Sequence, residues 1–167
     1  MMASTPKERA RESLKDYGNA TPPFSLKGTK TWARVVQIYD GDTMTCVLPV
    51  LGAHYKFSVR MAGVDACEMR SSNPEVMAKA IMARDRVFES ITGLHSTGLS
   101  KKEVTDVLGR EVYVVWLVCQ GWDKYGRLMA DVHVMPDGES IAALLLREKL
   151  AYAYNGGTKQ SDAEQVA

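Results

Sequence analysis

Three short segments of the 167-residue chain combine acidic and basic side chains at places where strands are expected to end. They are residues 40–43 (Asp-Gly-Asp-Thr), residues 60–68, and residues 123–127 (Asp-Lys-Tyr-Gly-Arg). Carboxylates bind hard cations and move protons, and arginines pair with anions, so these residue types could perform chemistry. Taken singly, the first and third segments are also ordinary hairpin turns with solvated charges. Their joint occurrence at corresponding strand ends makes them candidate functional segments.

The second segment has the most unusual combination, because one strand end bears an arginine and two carboxylates. Val59 and Met61 alternate with Arg60, so the apolar pair is expected to face the core, with Arg60 on the other side, where solvent or substrate would lie. Asp65 and Glu68 follow three residues apart, just beyond the strand. This arrangement is harder to dismiss as a solvated turn than either of the other two.

Apolar periodicity predicts the elements that must position these segments. Alternation of apolar and polar residues, or a β-branched and aromatic run, predicts strands at residues 32–39, 44–50, 55–61, 111–118 and 128–134. Helical spacing and capping residues predict a helix after Asn73, a short one after Ser100 and a last one after Ser140. The order predicts an α+β, mainly β fold: a five-stranded OB-like barrel with two to three helices.

The composition is that of one ordinary domain, with 46% hydrophobic residues and 21 Lys plus Arg against 20 Asp plus Glu. The net charge of +1 argues against a protein that grips nucleic acid mainly by bulk positive charge, although the excess of cations in residues 26–60 leaves a local basic surface open. We expect a mobile N-terminal arm over residues 1–30, a domain over residues 31–157 and a flexible tail over residues 158–167.

Membrane and secreted classes are not expected. The chain has no run of about 18 apolar residues, and its charged first residues are not followed by an apolar leader segment. Cys46, Cys67 and Cys119 are odd in number and widely separated, so neither a disulfide framework nor a zinc ribbon is indicated. We therefore expect a monomer in an intracellular compartment, cytoplasmic or nuclear.

Together, the three motifs resemble those of the staphylococcal nuclease-like domains, also called thermonuclease-like. The resemblance covers about residues 32–155 and rests on Asp-Gly-Asp-Thr, Arg-x4-Asp-x2-Glu and Asp-Lys-Tyr-Gly-Arg, in the family's order and with compatible spacing. It implies the OB-like barrel that the order of strands and helices predicts independently. It also implies that the domain over residues 31–157 is a calcium-dependent phosphodiesterase, a thermonuclease-like endonuclease.

The resemblance implies a metal site and a general base. Asp42 and Asp65 correspond to two carboxylate ligands of calcium, with the backbone carbonyl of Ala66 beside them. Glu68 corresponds to the group that orients or deprotonates the attacking water. Ala66 and Cys67 stand where the family usually has Thr and Pro, so a hydroxyl and a fixed backbone torsion are absent next to this base.

The resemblance also implies the groups that hold the substrate. Arg60 and Arg127 correspond to two guanidinium groups that clamp the phosphate, where negative charge grows toward the transition state. Lys124 and Tyr125 match positions near the terminal phosphate and the base or sugar of a bound nucleotide. Tyr154 is a candidate for base stacking, with core packing as the equal alternative.

The leading interpretation is a metal-dependent nuclease that hydrolyses phosphodiester bonds of DNA, RNA or both with low sequence specificity. Single-stranded or unstacked nucleic acid is the expected partner, because no recognition helix or zinc finger is indicated. Calcium is the expected cofactor, with magnesium or manganese left open. The alternatives are a catalytically weak OB-type module that binds nucleic acid or protein, and a structural domain that binds only calcium. The intact set of carboxylates and arginines favours the enzyme.

Overall fold

Strands form two sheets in the computed structural model, which describes residues 2–95 and 97–167. The strands are β1 Lys30–Ile38, β2 Thr43–Val50, β3 Ala53–Met61, β4 Val64–Ala66, β5 Val114–Trp122, β6 Leu128–His133 and β7 Ala151–Ala153. Five of them close into a barrel in the order β1-β2-β3-β6-β5, and β4 pairs with β7 in a separate two-stranded sheet. Met1 of the predicted arm and Ser96 of the predicted domain lie outside the described residues.

The barrel closes through one parallel contact, because β3 and β6 run in the same direction while the other neighbours are antiparallel. Along β2, Met44, Cys46 and Leu48 are fully buried and alternate with partly exposed residues, as the period of two requires. The same alternation fills the barrel from β5 and β6. The predicted OB-like barrel is therefore confirmed.

The helices begin at side chains that cap them. They are α1 Pro6–Leu14, α2 Pro74–Thr92, α3 Lys101–Arg110, α4 Ile141–Arg147 and α5 Asp162–Gln165. Three of them, α2, α3 and α4, pack against the barrel strands. Asn73 accepts a hydrogen bond from the Glu75 amide at the start of α2, and Ser100 and Ser140 cap α3 and α4 in the same way. Among the described residues, no helix has the length and apolar character that crossing a lipid bilayer requires.

Both ends of the chain contain structure that the sequence pattern does not predict. Helix α1 lies in the predicted N-terminal arm and has no buried residue, so apolar spacing gives no sign of it. Leu26, also in the arm, is buried in the barrel core. At the other end, Gln165 is buried and Val166 packs near Cys67, which places the predicted flexible tail against the domain.

Candidate active site

The turn between β1 and β2 is pressed against its neighbours at Gly41. A β-carbon added there would lie 2.8 Å from the β-carbon of Ala83 on α2 and 2.9 Å from that of Ala66 on β4. Only a glycine next to two small side chains allows this approach. The turn is also tied to β3, because the Met61 amide donates to the Asp42 carbonyl at 2.8 Å. The backbone of this turn is therefore fixed from three sides.

Asp42 is held inside the site by hydrogen bonds to both carboxylate oxygens. The Thr43 hydroxyl donates to Oδ1 at 2.8 Å, and the Ala66 amide donates to Oδ2 at 2.8 Å. The guanidinium of Arg60 lies 3.4 Å from the same Oδ2, and Asp42 is only 5% exposed. These contacts join β2, β3 and β4 at one carboxylate.

Arg60 is buried from bulk solvent, although its side chain lines both cavities of the site. Its Nη1 donates to the carbonyls of Met61 and Val64 at 2.8 and 2.7 Å, and its Nη2 donates to Asp65 Oδ1 at 2.9 Å. The chain turns back after β3 to form β4, and this return covers the guanidinium until the residue is 6% exposed. The alternation along β3 does not reveal a cover formed by the following segment.

Asp65 sits at the centre of a network of donors and is 2% exposed. Its Oδ1 faces Arg60 and also Lys159, whose ammonium lies 3.3 Å away, while its Oδ2 accepts from the hydroxyl of Tyr152. Burial and this hydrogen bond raise the pKa of Tyr152, so the hydroxyl stays a donor. Burial lowers the pKa of Lys159, but the surrounding carboxylates, led by Asp65, outweigh it and raise the pKa.

The loop between β5 and β6 positions Arg127 through Asp123. Asp123 accepts from the Arg127 side chain at 2.6 Å and from the amides of Tyr125 and Arg127 at 2.9 and 2.8 Å. Burial raises the pKa of Asp123, but these hydrogen bonds outweigh it and hold the pKa below the usual value. Lys124 and Arg127 both lie over the ring of Tyr125, which is 72% exposed.

The predicted site residues line two cavities that share the arginines. A cavity of about 190 Å³ is lined by the six residues predicted to act in metal binding and catalysis, Asp42, Arg60, Asp65, Ala66, Glu68 and Arg127. A second, of about 580 Å³, is lined by the three residues predicted to bind substrate, Lys124, Tyr125 and Tyr154, together with Arg60 and Arg127. Glu68 lies at the rim, with its side chain 68% exposed. The structure thus brings all nine residues to one region.

Negative charge is crowded at the turn before Asp42. Burial and the neighbouring Asp42 carboxylate raise the pKa of Asp40 to about 7. Asp40 Oδ1 accepts from the Asp42 amide at 3.1 Å, so the two side chains cannot move far apart. Added positive charge would stabilise a group of acids held this close together.

The acids of the site carry oxygen atoms of the kind that hard cations bind. Within residues 2–95 and 97–167, no three His, Cys, Asp or Glu side chains form a metal-binding group by themselves. However, the carboxylates of Asp42 and Asp65 both contact the Arg60 guanidinium, so the two acids lie close together. Calcium and magnesium bind such oxygens and take further ligands from backbone carbonyls, water or phosphate. Asp42 and Asp65 offer oxygen atoms of this kind, and a divalent cation would need its remaining ligands from the backbone, water or substrate.

Tyr152 and Lys159 contact Asp65 and lie outside both the predicted set and the three motifs. Tyr152 precedes the predicted Tyr154 by two residues, and its hydroxyl rather than its ring contacts Asp65. Lys159 reaches Asp65 and Glu68 from the predicted tail. The register of β4 against β7 pairs Asp65 with Tyr152, a relation that strand pairing would reveal and local spacing does not. Tyr154 follows β7 directly and reaches the larger cavity.

A comparison against protein families finds a match for this chain. The model of the family described as staphylococcal nuclease homologue matches residues 58–166, which include Arg60, Asp65, Glu68 and Arg127. A comparison with curated proteins finds no match. The family match covers more than half of the chain, and the barrel has the fold that the family implies. The chain belongs to the staphylococcal nuclease homologue family.

Proposed function

We propose that this protein is a metal-dependent nuclease that hydrolyses phosphodiester bonds of DNA, RNA or both with low sequence specificity. The observation that carries the proposal is the cavity of about 190 Å³ in which Asp42, Arg60, Asp65, Glu68 and Arg127 meet. Two arginines and three acids around one space are the groups needed to bind a phosphate and to activate water against it. A purely nucleic-acid-binding barrel has no need of the buried acids.

Arg60 and Arg127 would hold the scissile phosphate where the two cavities meet, since both line both cavities. Guanidinium groups donate two parallel hydrogen bonds to phosphate oxygens, and this pairing strengthens as negative charge grows there. Asp123 fixes the side chain of Arg127 beforehand, so little conformational freedom is lost on binding. The two clamps are thus preorganised by different contacts.

Glu68 would accept the proton of the attacking water. Its exposed position at the rim of the cavity gives water access, and its carboxylate lies 3.5 Å from the ammonium of Lys159. Asp42, Asp65 and the carbonyl of Ala66 would hold calcium, or alternatively magnesium or manganese, which supplies charge neutralisation at the phosphate. Hydrogen bonds from Thr43 and Arg60 fix the side chains of the two aspartates in place.

The larger cavity would take the nucleotide next to the scissile bond. Tyr125 and Tyr154 offer ring faces for a base or sugar, and Lys124 supplies charge near a neighbouring phosphate. Stacking tolerates every base, so this arrangement predicts low sequence specificity. Bases must leave the duplex to stack on these rings, so single-stranded or unstacked regions are the expected substrates.

The test is cleavage of fluorescently labelled single-stranded DNA and RNA by the purified chain. Reactions would contain calcium, magnesium, manganese or a chelator. We expect cleavage that depends on a divalent cation and is abolished by the chelator. Binding without cleavage under every metal would contradict the proposal and would support the alternative of an OB-type docking module.

A further inference from the structure

Lys159 is the one cation from the C-terminal segment that reaches the acids of the candidate site, among the residues that the structure describes. Its ammonium lies 3.3 Å from Asp65 Oδ1 and 3.5 Å from Glu68 Oε1. Its side chain is 50% exposed, whereas that of Arg60 on the same Asp65 oxygen is 8% exposed. Lys159 is therefore the donor to Asp65 that can leave with the least rearrangement.

The backbone that carries Lys159 is fixed next to the site by the two tyrosines of β7 and its continuation. The hydroxyl of Tyr154 donates to the Gly157 carbonyl at 2.8 Å, and the Gln160 amide donates to the Tyr152 hydroxyl at 3.2 Å. Lys159 lies between these two anchors. Because the backbone of Lys159 is held, the ammonium can move mainly through rotation about the bonds of its flexible side chain.

Lys159 also borders both cavities described above. It lines the cavity of about 190 Å³ beside Glu68 and the cavity of about 580 Å³ beside Tyr154. Arg60 and Arg127 are the other cations with this property. A phosphate placed between the two arginines would therefore lie within the region that the Lys159 side chain borders.

A divalent cation that bound Asp65 would compete with this ammonium for the carboxylate. Asp65 already receives hydrogen bonds from Arg60 and Tyr152, and a carboxylate offers about four acceptor positions. A cation bound to Asp65 would stand close to Lys159 and repel it. The buried Arg60 is held by two backbone carbonyls as well, so Lys159 is the group that yields.

We propose that Lys159 is a further substrate-binding residue, which neutralises Asp65 and Glu68 before a metal ion binds and passes to the substrate phosphate when a divalent cation binds at Asp65. This inference rests on the proposed nuclease function for the identity of the phosphate. In this exchange the divalent cation takes over the neutralisation of Asp65, and the displaced ammonium pairs with the negative charge of the phosphate. It assigns Lys159 a place beside the two arginines in the phosphate clamp.

The test measures two affinities of the Lys159→Met variant that do not require cleavage. The first is the affinity for terbium, a luminescent substitute for calcium. The second is the affinity for thymidine 5′-monophosphate in the presence of calcium, since this nucleotide has a phosphate but no phosphodiester bond. Loss of the competing ammonium should tighten terbium binding about fivefold, the size of a partly exposed charge interaction. Loss of the phosphate contact should weaken nucleotide binding by a similar factor.

Lys15→Met is the matched control, because Lys15 has a similarly exposed side chain (56%) that also pairs with a carboxylate, at the end of α1. The Lys15→Met variant should change neither affinity. The Lys159→Arg variant should have terbium and nucleotide affinities close to those of the unmodified protein. Tighter terbium binding together with weaker nucleotide binding cannot come from partial unfolding, because unfolding would weaken the binding of both ligands. Unchanged or weaker terbium binding, or unchanged nucleotide binding, would overturn the inference. If the two affinities shift in opposite directions in a protein that does not cleave nucleic acid, the result would support the proposed role of Lys159 and contradict the proposed nuclease function.

Discussion

Replacing Arg60 by Met should destabilise the folded protein before any question of catalysis arises. The change removes the guanidinium that faces Asp65 at 2.9 Å and Asp42 at 3.4 Å, and both carboxylates are 5% exposed or less. Breaking one side of a buried ion pair costs about 3–5 kcal/mol, because the remaining charge stays in a poorly solvated place. Lys159 and Tyr152 still contact Asp65, so we expect the free energy of unfolding to fall by an amount near the lower end of this range, about 3 kcal/mol.

The assay is urea unfolding followed by tryptophan fluorescence, in chelator. Arg86→Met is the control, because Arg86 pairs with Glu148 where both side chains are 30% exposed, and such pairs contribute about 1 kcal/mol or less. The double variant Arg60→Met/Asp65→Asn should recover part of the lost stability, since the amide needs no counter-ion. A loss in Arg60→Met no larger than in Arg86→Met would refute the reasoning. The same buried role means that inactivity of an Arg60 variant alone does not demonstrate a phosphate contact.

Three further predictions concern the turn and the arginine clamp. Gly41→Ala places a β-carbon within 2.9 Å of two alanine side chains and should lower the free energy of unfolding by about 1–3 kcal/mol in urea. Because the pKa of Asp40 is raised to about 7, the folded state holds a proton that the unfolded chain releases, so stability in chelator should fall as the pH rises from about 4 to about 7. In Asp40→Asn, the decrease in the free energy of unfolding over this pH range should be smaller by on the order of 2 kcal/mol, as measured by urea titrations. Asp123→Asn removes the carboxylate that orients Arg127 and should lower kcat/KM for oligonucleotide cleavage about tenfold with little change in Tm.

Each of these three has an outcome that would contradict it. A Gly41→Ala variant as stable as the unmodified protein would mean that α2 and β4 can move away from the turn. If the free energy of unfolding of the unmodified protein and of Asp40→Asn depended on pH in the same way, Asp40 would not be the group whose titration changes the stability. Full activity of Asp123→Asn would show that Arg127 does not need a fixed partner.

The sequence predicts the barrel and the proximity of the three charged segments, because both depend on local signals. The alternation along β2 and β6 follows directly from burial on one face. The caps Asn73, Ser100 and Ser140 mark the starts of three helices in the structure. The motif order likewise places the charged segments at strand ends that the barrel brings together.

The features that the sequence does not reveal depend on contacts between distant segments. Strands β4 and β7 have three residues each, too few to show a period, yet their pairing sets Asp65 beside Tyr152. The contact between Lys159 and Glu68 joins residues 91 positions apart. The burial of Arg60 likewise depends on the return of the chain after β3. In each case tertiary packing, not local preference, decides the environment of a charged side chain.

The central claim is that the cavity around Glu68 hydrolyses phosphodiester bonds. The most direct measurement is cleavage of a single-stranded oligonucleotide by the unmodified protein and by Glu68→Gln, with calcium present and with Glu75→Gln, an exposed acid on α2, as the control. We predict that Glu68→Gln cleaves at least about 100-fold more slowly while still binding the oligonucleotide, the loss expected when a general base is removed, and that Glu75→Gln retains full activity. Equal cleavage by Glu68→Gln and the unmodified protein, or no cleavage by either, would contradict the account.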